Sequence, residues 1–308
     1  MAKCATREAY GKALAQLIQE NERVIVLDAD LAGSTKTSEA KKVCPQRHFD
    51  MGIAESNMMG VAAGLAASGK IPFASSFAMF AAGRAYEQIR NAIGYPHLNV
   101  KICATHAGLS VGEDGATHQC NEDLALMRTI PGMCVLQPCD AQQTTQMIKS
   151  IARMDGPCYV RLSRMAVDAV YDENMPFTIG KGNVLQKGEK VAIVASGIMV
   201  QEALQAAKQL PFVPTIVDMH TIKPIDKALL CSLAKDHQLI VTAEEHSIIG
   251  GLGSAVAEVL AQQPHACALR MVGVFDVYGE SGTPQDVLHK YGIDAKTIVN
   301  TILTQPFQ

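Results

Sequence analysis

The sequence predicts an α/β protein made of two doubly wound domains that meet near residue 180. Short apolar runs typical of buried strands alternate with amphipathic segments typical of helices, and this alternation occurs twice along the 308 residues. The two series are separated by residues 165–188, which are irregular and contain Asp, Asn, Pro and Gly. We therefore predict a first domain at 1–170, a linker at 171–188 and a second domain at 189–308.

The first domain is predicted to begin with a helix and then to alternate strands with helices. Apolar residues at helical spacing predict a helix over 5–21. Apolar runs predict strands at 24–27, 48–51, 72–76, 100–104, 133–137 and 159–162. Helices are expected from Glu55 and over 80–93, 122–129 and 140–153, with a long loop at 105–121. This order indicates a parallel sheet with right-handed crossovers.

The second domain repeats this alternation over a shorter stretch. Strands are predicted at 191–195, 214–218, 239–242 and 268–274, and helices at 198–209, 226–235 and 250–262. A second parallel sheet is therefore expected.

The composition is typical of a globular protein and narrows the possible functions. Hydrophobic residues make up 48% of the chain, enough for a sizeable core. A net charge of −3 without a basic tract gives no support to nucleic-acid binding. No stretch is apolar enough to cross a membrane, and Lys3, Arg7 and Glu8 interrupt any signal peptide. The nine scattered cysteines favour reduced thiols, and we expect a cytoplasmic protein.

Glu55 is the first candidate for a functional residue. It lies where an extended segment gives way to a helix rich in Gly and Ala, in which Gly60 and Gly64 are two of the small residues. Small side chains let another backbone or a flat ligand approach closely. The alternative is an ordinary helix start, because the helix dipole favours an acid in the first turn.

The loop from Thr105 to Gln119 is the richest in polar residues. It carries His106 and His118, the acids Glu113 and Asp114, and three glycines. Such a composition suits proton transfer and the recognition of hydroxyl groups. A flexible surface loop is one alternative. A metal site formed by His106, Asp114 and His118 is another, although no helical His-x-x-x-His pair or thiolate accompanies them.

Aromatic and basic residues supply further candidates. Phe77 and Phe80 are three residues apart and would share a helix face, as core residues or as part of a cofactor pocket. Arginine binds phosphate through two parallel hydrogen bonds. The candidates for this role are Arg7, Arg164 and, less clearly, Arg161, with Ser34 as an added donor, and each arginine could equally be a surface charge. The glycine-rich helix start at 250–254 could hold an anion, but it follows mixed charges that favour packing or an interface.

Taken in order, these motifs resemble the C-terminal half of transketolase over essentially the whole chain. The segment Gly-Glu-Asp-Gly-Ala-Thr-His-Gln at 112–119 is similar to the donor-site motif of that family. The Gly-Ile-Ala-Glu pattern at 52–66 is shared more widely among thiamine diphosphate enzymes, and segments at 222–226 and 245–253 resemble their C-terminal domain. The resemblance implies a thiamine diphosphate pyrimidine-binding fold followed by a transketolase C-terminal-like α/β domain.

The resemblance also implies a role for each candidate. Glu55 corresponds to the catalytic glutamate that contacts the aminopyrimidine ring of the cofactor and stabilises its imino tautomer. The ring would pack on Phe77 and Phe80. Ala74 takes the place of the family's first aromatic residue, and Asp30 corresponds to an acid near the cofactor. The sugar hydroxyls would contact the catalytic histidines His106 and His118 and the acid Asp114, and the acceptor phosphate would contact Arg7, Ser34 and Arg164.

One departure from the family pattern decides the expected assembly. The sequence contains no Gly-Asp-Gly…Asn motif for diphosphate and metal, and there is no room for that domain ahead of Ala5. We therefore expect one subunit of a split transketolase, inactive alone. A separate N-terminal, diphosphate-binding subunit would hold most of the thiamine diphosphate contacts and Mg²⁺ (or Ca²⁺). The expected assembly is a two-plus-two heterotetramer with its interface behind Glu55, acting on sugar phosphates such as pentose phosphates.

Other families share part of this pattern. The beta subunit of 2-oxo acid dehydrogenases and deoxyxylulose phosphate synthase both have the glutamate helix, and residues 86–91 favour these relatives. The position of His106 and the pair Glu113 and Asp114 favour transketolase. A non-catalytic paralogue is the remaining alternative, but a scaffold has no physical need for Glu55, Asp114 and His118 together.

Overall fold

The computed structural model describes residues 3–264 and 267–304. Within them, a seven-stranded sheet forms the first domain, in the spatial order β12-β6-β7-β5-β4-β2-β3. Its strands are β2 (Val24–Asp28), β3 (His48–Asp50), β4 (Ile71–Ser75), β5 (Lys101–Ala104), β6 (Cys134–Leu136), β7 (Cys158–Arg161) and β12 (Thr221–Lys223). All neighbours are parallel except β12, which comes from the second half of the chain and pairs antiparallel with β6.

Helices cover both faces of this sheet. They are α1 (Thr6–Glu20), α2 (Ala32–Thr35), α3 (Ser38–Val43), α4 (Glu55–Ala67), α5 (Tyr86–Gln88), α6 (Asp123–Thr129) and α7 (Ala141–Arg153). Two short strands, β1 (Cys4–Ala5) and β8 (Ala166–Val167), pair with each other and join the start of the domain to its end. The helix α7 begins where the Asp140 side chain accepts a hydrogen bond from the backbone N–H of Gln143.

A second sheet forms the second domain and, among the described residues, has the order β14-β13-β10-β11-β9. Its strands are β9 (Asn183–Gln186), β10 (Val191–Ala195), β11 (Thr215–Asp218), β13 (Leu239–Ser247) and β14 (Ala268–Val274). The helices are α8 (Met199–Ala207), α9 (Lys227–Asp236), α10 (Leu252–Leu260), α11 (Pro284–Lys290) and α12 (Ala295–Leu303). Only β9 runs antiparallel to its neighbour.

The predicted α/β architecture with parallel sheets is confirmed, and two local predictions are wrong. The uniform helix expected at 80–93 is instead the short α5 between two π-helical turns, Met79–Arg84 and Ile89–Gly94. Residues 183–186, expected to be irregular, form the edge strand β9, because their extended backbone pairs with β11. The loop at 105–121 contains a 3₁₀ turn at Leu109–Asp114.

The two domains share a continuous hydrophobic core. One cluster of buried side chains includes Met58 and Met59 of α4, Ile102 of β5, Val194 of β10 and Val256 of α10. Because apolar surface from both sheets is removed from water in this one cluster, separating the domains would expose it again. Within the described part of the chain, no helix is both long and apolar enough to cross a bilayer.

Candidate active site

Most of the candidate residues follow the carboxyl ends of neighbouring parallel strands. Asp30 follows β2, Glu55 follows β3, Phe77 follows β4, His106 follows β5 and Arg164 follows β7. Open parallel sheets bind ligands at this edge, because the connecting loops and helix N-termini meet there. The fold therefore gathers residues that are as much as 134 positions apart in sequence (Arg164 minus Asp30) along one edge of one sheet.

The Glu55 carboxylate is buried and paired with an arginine. Glu55 is the first residue of α4 and only 1% of its side chain is exposed. Its Oε2 lies 2.8 Å from Nη1 of Arg84, whose own side chain is 49% exposed. The Arg84 guanidinium carbon lies 4.6 Å from the centroid of the Phe80 ring, a cation–π contact. The acid, the arginine and the aromatic ring thus form one contact chain.

The contact chain continues through aromatic rings to the two histidines of the loop. The rings of Phe77 and Phe80 are stacked with their centroids 6.0 Å apart. The His106 ring stacks on Phe77 at 3.8 Å, and the His118 ring meets the Phe80 ring edge-on at 5.3 Å. These predicted cofactor and substrate residues therefore touch one another, and they form a wall of flat surfaces beside Glu55.

His106 is held in one tautomer and kept neutral. Its Nε2 lies 3.0 Å from Nη1 of Arg7, which can only donate, so Nε2 accepts. The proton then sits on Nδ1, which donates to Oγ1 of Thr105 at 2.8 Å. Burial, and then the nearby charges of Arg7 and Arg164, lower the pKa of His106 to about 3. The ring is neutral at physiological pH.

The predicted phosphate-binding residues lie around this histidine but are only partly connected. Arg7 donates to the backbone carbonyl of Ser34 at 2.9 Å as well as to His106. Burial, and to a smaller extent the charge of Arg164, lower the pKa of Arg7. Arg164 itself donates to the Val111 carbonyl at 2.6 Å and to Glu113 Oε2 at 3.1 Å. Two cations therefore share one region, and such a pair favours an anion.

Asp114 and Asp30 stand apart from the contact chain. Both are exposed. Asp114 ends the 3₁₀ turn of the loop. Asp30 adopts a positive φ of 61° just after β2, and its backbone N–H donates to Oδ1 of Asp50 at 2.9 Å. Their exposure leaves both residues accessible to a bound molecule or to another chain.

Most of the loop that carries the histidines is packed against the second domain, which argues against a surface loop without tertiary contacts. The Ser110 N–H donates to Oε1 of Glu245 at 2.5 Å, and the Gln119 amide donates to the Glu280 carbonyl at 2.9 Å. Gly108 has a positive φ of 78°, and a Cβ there would overlap the Glu245 carboxylate. The second domain therefore fixes the loop from behind.

The alternative of a metal site finds no support in the donor geometry. The Nε2 atom of His106 faces the Arg7 guanidinium, a cation that would repel a metal ion. In residues 3–264 and 267–304, no three His, Cys, Asp or Glu side chains are grouped closely enough to hold one.

Two weaker candidates are structural. Arg161 is 1% exposed and its Nε lies 3.0 Å from Oδ1 of Asp123, which is fully buried. At the glycine-rich start of α10, the Glu244 carboxylate accepts hydrogen bonds from the N–H groups of Leu252 and Gly253, both at 2.7 Å. The chain's own carboxylate thus fills the anion position at that helix.

Arg84 is a residue of this site that the sequence did not predict. Nothing in the local pattern marks it, because the contact joins residues 29 positions apart and depends on the π-helical turn that ends at Arg84. The one available signal is its position between the aromatic residues Phe80 and Tyr86.

The site fits the pyrimidine end of thiamine diphosphate. The imino tautomer of an aminopyrimidine carries a hydrogen on a ring nitrogen, which a carboxylate can accept in a hydrogen bond, and the ring needs flat apolar surfaces on which to stack. Glu55 supplies the buried carboxylate, and Phe77 and Phe80 supply the stacked surfaces.

Comparison with known proteins gives concordant matches. The transketolase pyrimidine-binding domain family matches residues 2–169, and the transketolase C-terminal domain family matches residues 180–298. The putative transketolase C-terminal section of Methanocaldococcus jannaschii is 49% identical over 304 residues, which cover 97% of this chain and 95% of that protein. The 6-deoxy-6-sulfo-D-fructose transketolase subunit of Clostridium sp. (strain MSTE9) is 42% identical over 296 residues, which cover 95% of this chain and 92% of that protein. A solved structure of a split gene transketolase, an inactive beta4 tetramer, is similar with a TM-score of 0.91 and 56% identity, covering 97% of each chain.

Proposed function

Because the chain belongs to the transketolase family, whose members use thiamine diphosphate, we propose that it is the pyrimidine-binding subunit of a split transketolase. It transfers a two-carbon ketol unit from a ketose phosphate to an aldose acceptor. The observation that carries this proposal is the contact chain from Glu55 through Arg84, Phe80 and Phe77 to His106. It joins a buried acid, an aromatic wall and a neutral histidine at one sheet edge.

At the cofactor end, the residues of this chain bind and orient the pyrimidine ring. The Glu55 carboxylate would accept a hydrogen bond from the ring N–H of the imino tautomer, and its burial would keep water from competing for that bond. Phe77 and Phe80 fix the plane of the ring by stacking. When bound, thiamine diphosphate supplies the electron sink for breaking and forming the carbon–carbon bond.

At the substrate end, the neutral ring of His106 lines the sugar site and does not exchange a proton with the sugar. Its Nδ1 proton and its Nε2 lone pair are both engaged, by Thr105 and Arg7. His118 is half-buried beside Phe80 and its Nδ1 lies 3.0 Å from Oγ1 of Thr117, so it is our candidate for proton exchange with the sugar. The exposed Asp114 would recognise a hydroxyl group.

We assign the acceptor phosphate to the cationic region of Arg7 and Arg164, with Ser34 beside it. Arg7 already makes two hydrogen bonds and is half-buried, so a phosphate there would meet a guanidinium that is fixed in advance. The negative charge of the phosphate would offset the repulsion between the two arginines.

The diphosphate and Mg²⁺ (or Ca²⁺) would be bound mainly by a separate, N-terminal subunit. The names of relatives that match nearly end to end support a split, since they are called a C-terminal section and a subunit. The surface of α4 supports an interface close to Glu55. A Cβ at Gly60 or Gly64 would meet nothing within 4 Å, and Ile53 just before the helix is 75% exposed. We propose a two-plus-two heterotetramer, located in the cytoplasm.

The sugar is proposed by class only. Two cations at the substrate end favour a sugar that carries an anionic group, such as a pentose phosphate. The Clostridium relative is named for 6-deoxy-6-sulfo-D-fructose, a sugar with an anionic group of another kind.

The test is reconstitution with the diphosphate-binding partner, thiamine diphosphate and Mg²⁺. Ketose phosphates and pyruvate are offered in separate assays. Glycolaldehyde transfer from a ketose phosphate to an aldose supports the proposal. Decarboxylation of a 2-oxo acid without ketol transfer would instead assign the chain to the dehydrogenase or deoxyxylulose phosphate synthase type, and a complex that assembles without either activity would point to a non-catalytic paralogue.

A further inference from the structure

Arg84 contacts both groups that the proposed function assigns to the pyrimidine ring. Its Nη1 lies 2.8 Å from Glu55 Oε2, and its guanidinium carbon lies 4.6 Å from the centre of the Phe80 ring. Glu55 is 1% exposed whereas the Arg84 side chain is 49% exposed. The guanidinium therefore lies on the solvent side of the carboxylate.

The chemistry of a guanidinium explains why it can fill this place. A guanidinium is planar, carries N–H donors at its edge and stacks on aromatic faces. A protonated aminopyrimidine ring has the same three properties, with a ring N–H that points at a carboxylate. The contacts of Arg84 with Glu55 and Phe80 are thus the two that the ring would need, an N–H to the acid and a flat face on the aromatic.

The backbone at Arg84 is packed against α4, whereas the side chain is half-exposed. Arg84 ends the π-helical turn Met79–Arg84, and its carbonyl lies 3.4 Å from the hydroxyl of Ser56 on α4. The turn holds Ala81 and Ala82 in the core. A rotation of the long, half-exposed side chain into solvent needs no movement of these elements.

We propose that Arg84 is a further residue of the cofactor site, whose guanidinium holds the place of the pyrimidine ring until the ring displaces it from Glu55. This inference rests on the proposed function, which supplies the ring. It assigns Arg84 a positioning role: the arginine holds the buried carboxylate of Glu55 in place while no ring is bound.

The consequence is a reduced affinity of the free chain for the ring. A site that is open for only a fraction of the time binds its ligand more weakly by that fraction. An ion pair with one exposed partner favours its closed state by a factor of roughly five. Removing the guanidinium should therefore strengthen ring binding, the opposite of what removing an ordinary binding residue does.

The experiment measures thiamine binding to the isolated chain by calorimetry, with thiamine itself as the probe because it carries the ring without the diphosphate. We expect Arg84→Met to bind thiamine about fivefold more tightly than the unaltered chain. Arg84→Lys, which keeps the charge but loses the planar group, should show a smaller gain. Arg90→Met is the matched control, since Arg90 is exposed and donates to its neighbour Asn91, and it should bind like the unaltered chain.

Unchanged or weaker binding in Arg84→Met overturns the inference. If that variant does not fold, as judged by circular dichroism, Arg84→Lys decides in its place, and affinity equal to that of the unaltered chain overturns it. Glu55→Gln separates the two levels of the argument. Thiamine binding that is indifferent to Glu55→Gln refutes the ring site of the proposed function, whereas weaker binding in Glu55→Gln without a gain in Arg84→Met refutes only the role of Arg84.

Discussion

The guanidinium of Arg7 lies 3.0 Å from Nε2 of His106, so a permanent cation faces the ring nitrogen of a histidine that is only 3% exposed. This contact fixes the tautomer and helps to keep the ring neutral, because a protonated His106 would present a second cation to Arg7. It also joins the start of helix α1 to the loop after β5. The residue proposed to bind the phosphate is thereby linked to a histidine proposed to line the sugar site.

The first prediction concerns acid stability. The folded-state pKa of His106 is lowered to about 3, below its unfolded value of 6.5, so between these values the unfolded chain binds more protons. The stability contributed by the neutral ring is therefore complete above pH 6.5 and is lost as the pH falls towards 3. In urea unfolding, His106→Gln should lose less free energy of unfolding than the unaltered chain as the pH falls from 6.5 to 4. The difference in slope should be up to ~1.4 kcal/mol per pH unit. If the free energy of unfolding fell with pH at the same slope in His106→Gln and in the unaltered chain, this prediction would be contradicted.

Arg7→Met is predicted to affect phosphorylated acceptors selectively. The loss of a preorganised guanidinium should raise KM for a phosphorylated aldose by about tenfold or more, since a charge-assisted hydrogen bond contributes about 1.5–3 kcal/mol. KM for the corresponding unphosphorylated aldose should barely change. In the same variant, NMR titration should show a higher pKa for His106. Equal changes in KM for both acceptors would remove Arg7 from phosphate recognition.

Arg161 is predicted to contribute to the stability of the fold and not to the binding of substrate. Arg161→Met leaves Asp123 as a buried charge without its cation, and we expect a loss of about 3–5 kcal/mol in the free energy of unfolding. Urea denaturation measures this loss. Unaltered stability combined with a raised KM for a phosphorylated acceptor would restore Arg161 as a phosphate ligand.

Gly60 is predicted to be tolerant in the isolated chain and sensitive in the assembly. Gly60 is exposed, a Cβ there meets nothing within 4 Å in the chain, and replacing glycine in a helix gains about 0.5–1 kcal/mol in helix propensity. At a close interface a larger side chain would hold the partner away. Gly60→Leu should therefore keep or raise the melting temperature of the free chain while weakening assembly with the partner in analytical ultracentrifugation. Gly60→Ala is the control, and normal assembly of Gly60→Leu would exclude this face from the interface.

The strands and long helices could be predicted because their patterns are local. Buried runs such as Val24–Asp28 and the periodicity of Thr6–Glu20 need no knowledge of distant residues. The short helices α2 and α3 and the edge strands β9 and β12 were missed, since each depends on tertiary contacts more than on its own sequence. The helices α11 and α12 at the end of the second domain were missed as well. The family resemblance is confirmed by domain matches over both halves of the chain.

The site could be anticipated only where a motif marked it. The motifs around Glu55 and His118 drew attention to those residues, and their roles remain predictions. The Glu55–Arg84 pair joins residues 29 positions apart, and the Arg7–His106 pair joins residues 99 positions apart. No local sequence motif indicates that either pair forms. The packed state of the histidine loop depends on Glu245 in the other domain, which periodicity in the first domain could not indicate.

The central claim is that Glu55 serves the cofactor of a ketol transfer. Its most direct test is the turnover of the reconstituted complex carrying Glu55→Gln, measured as glycolaldehyde transfer with assembly checked in the same sample. Glu20→Gln, at an exposed residue at the end of α1, is the matched control. We predict that Glu55→Gln lowers kcat by on the order of 100-fold or more, the typical loss when a proton-transfer partner is removed, while the complex still assembles. Turnover equal to that of Glu20→Gln would contradict the account.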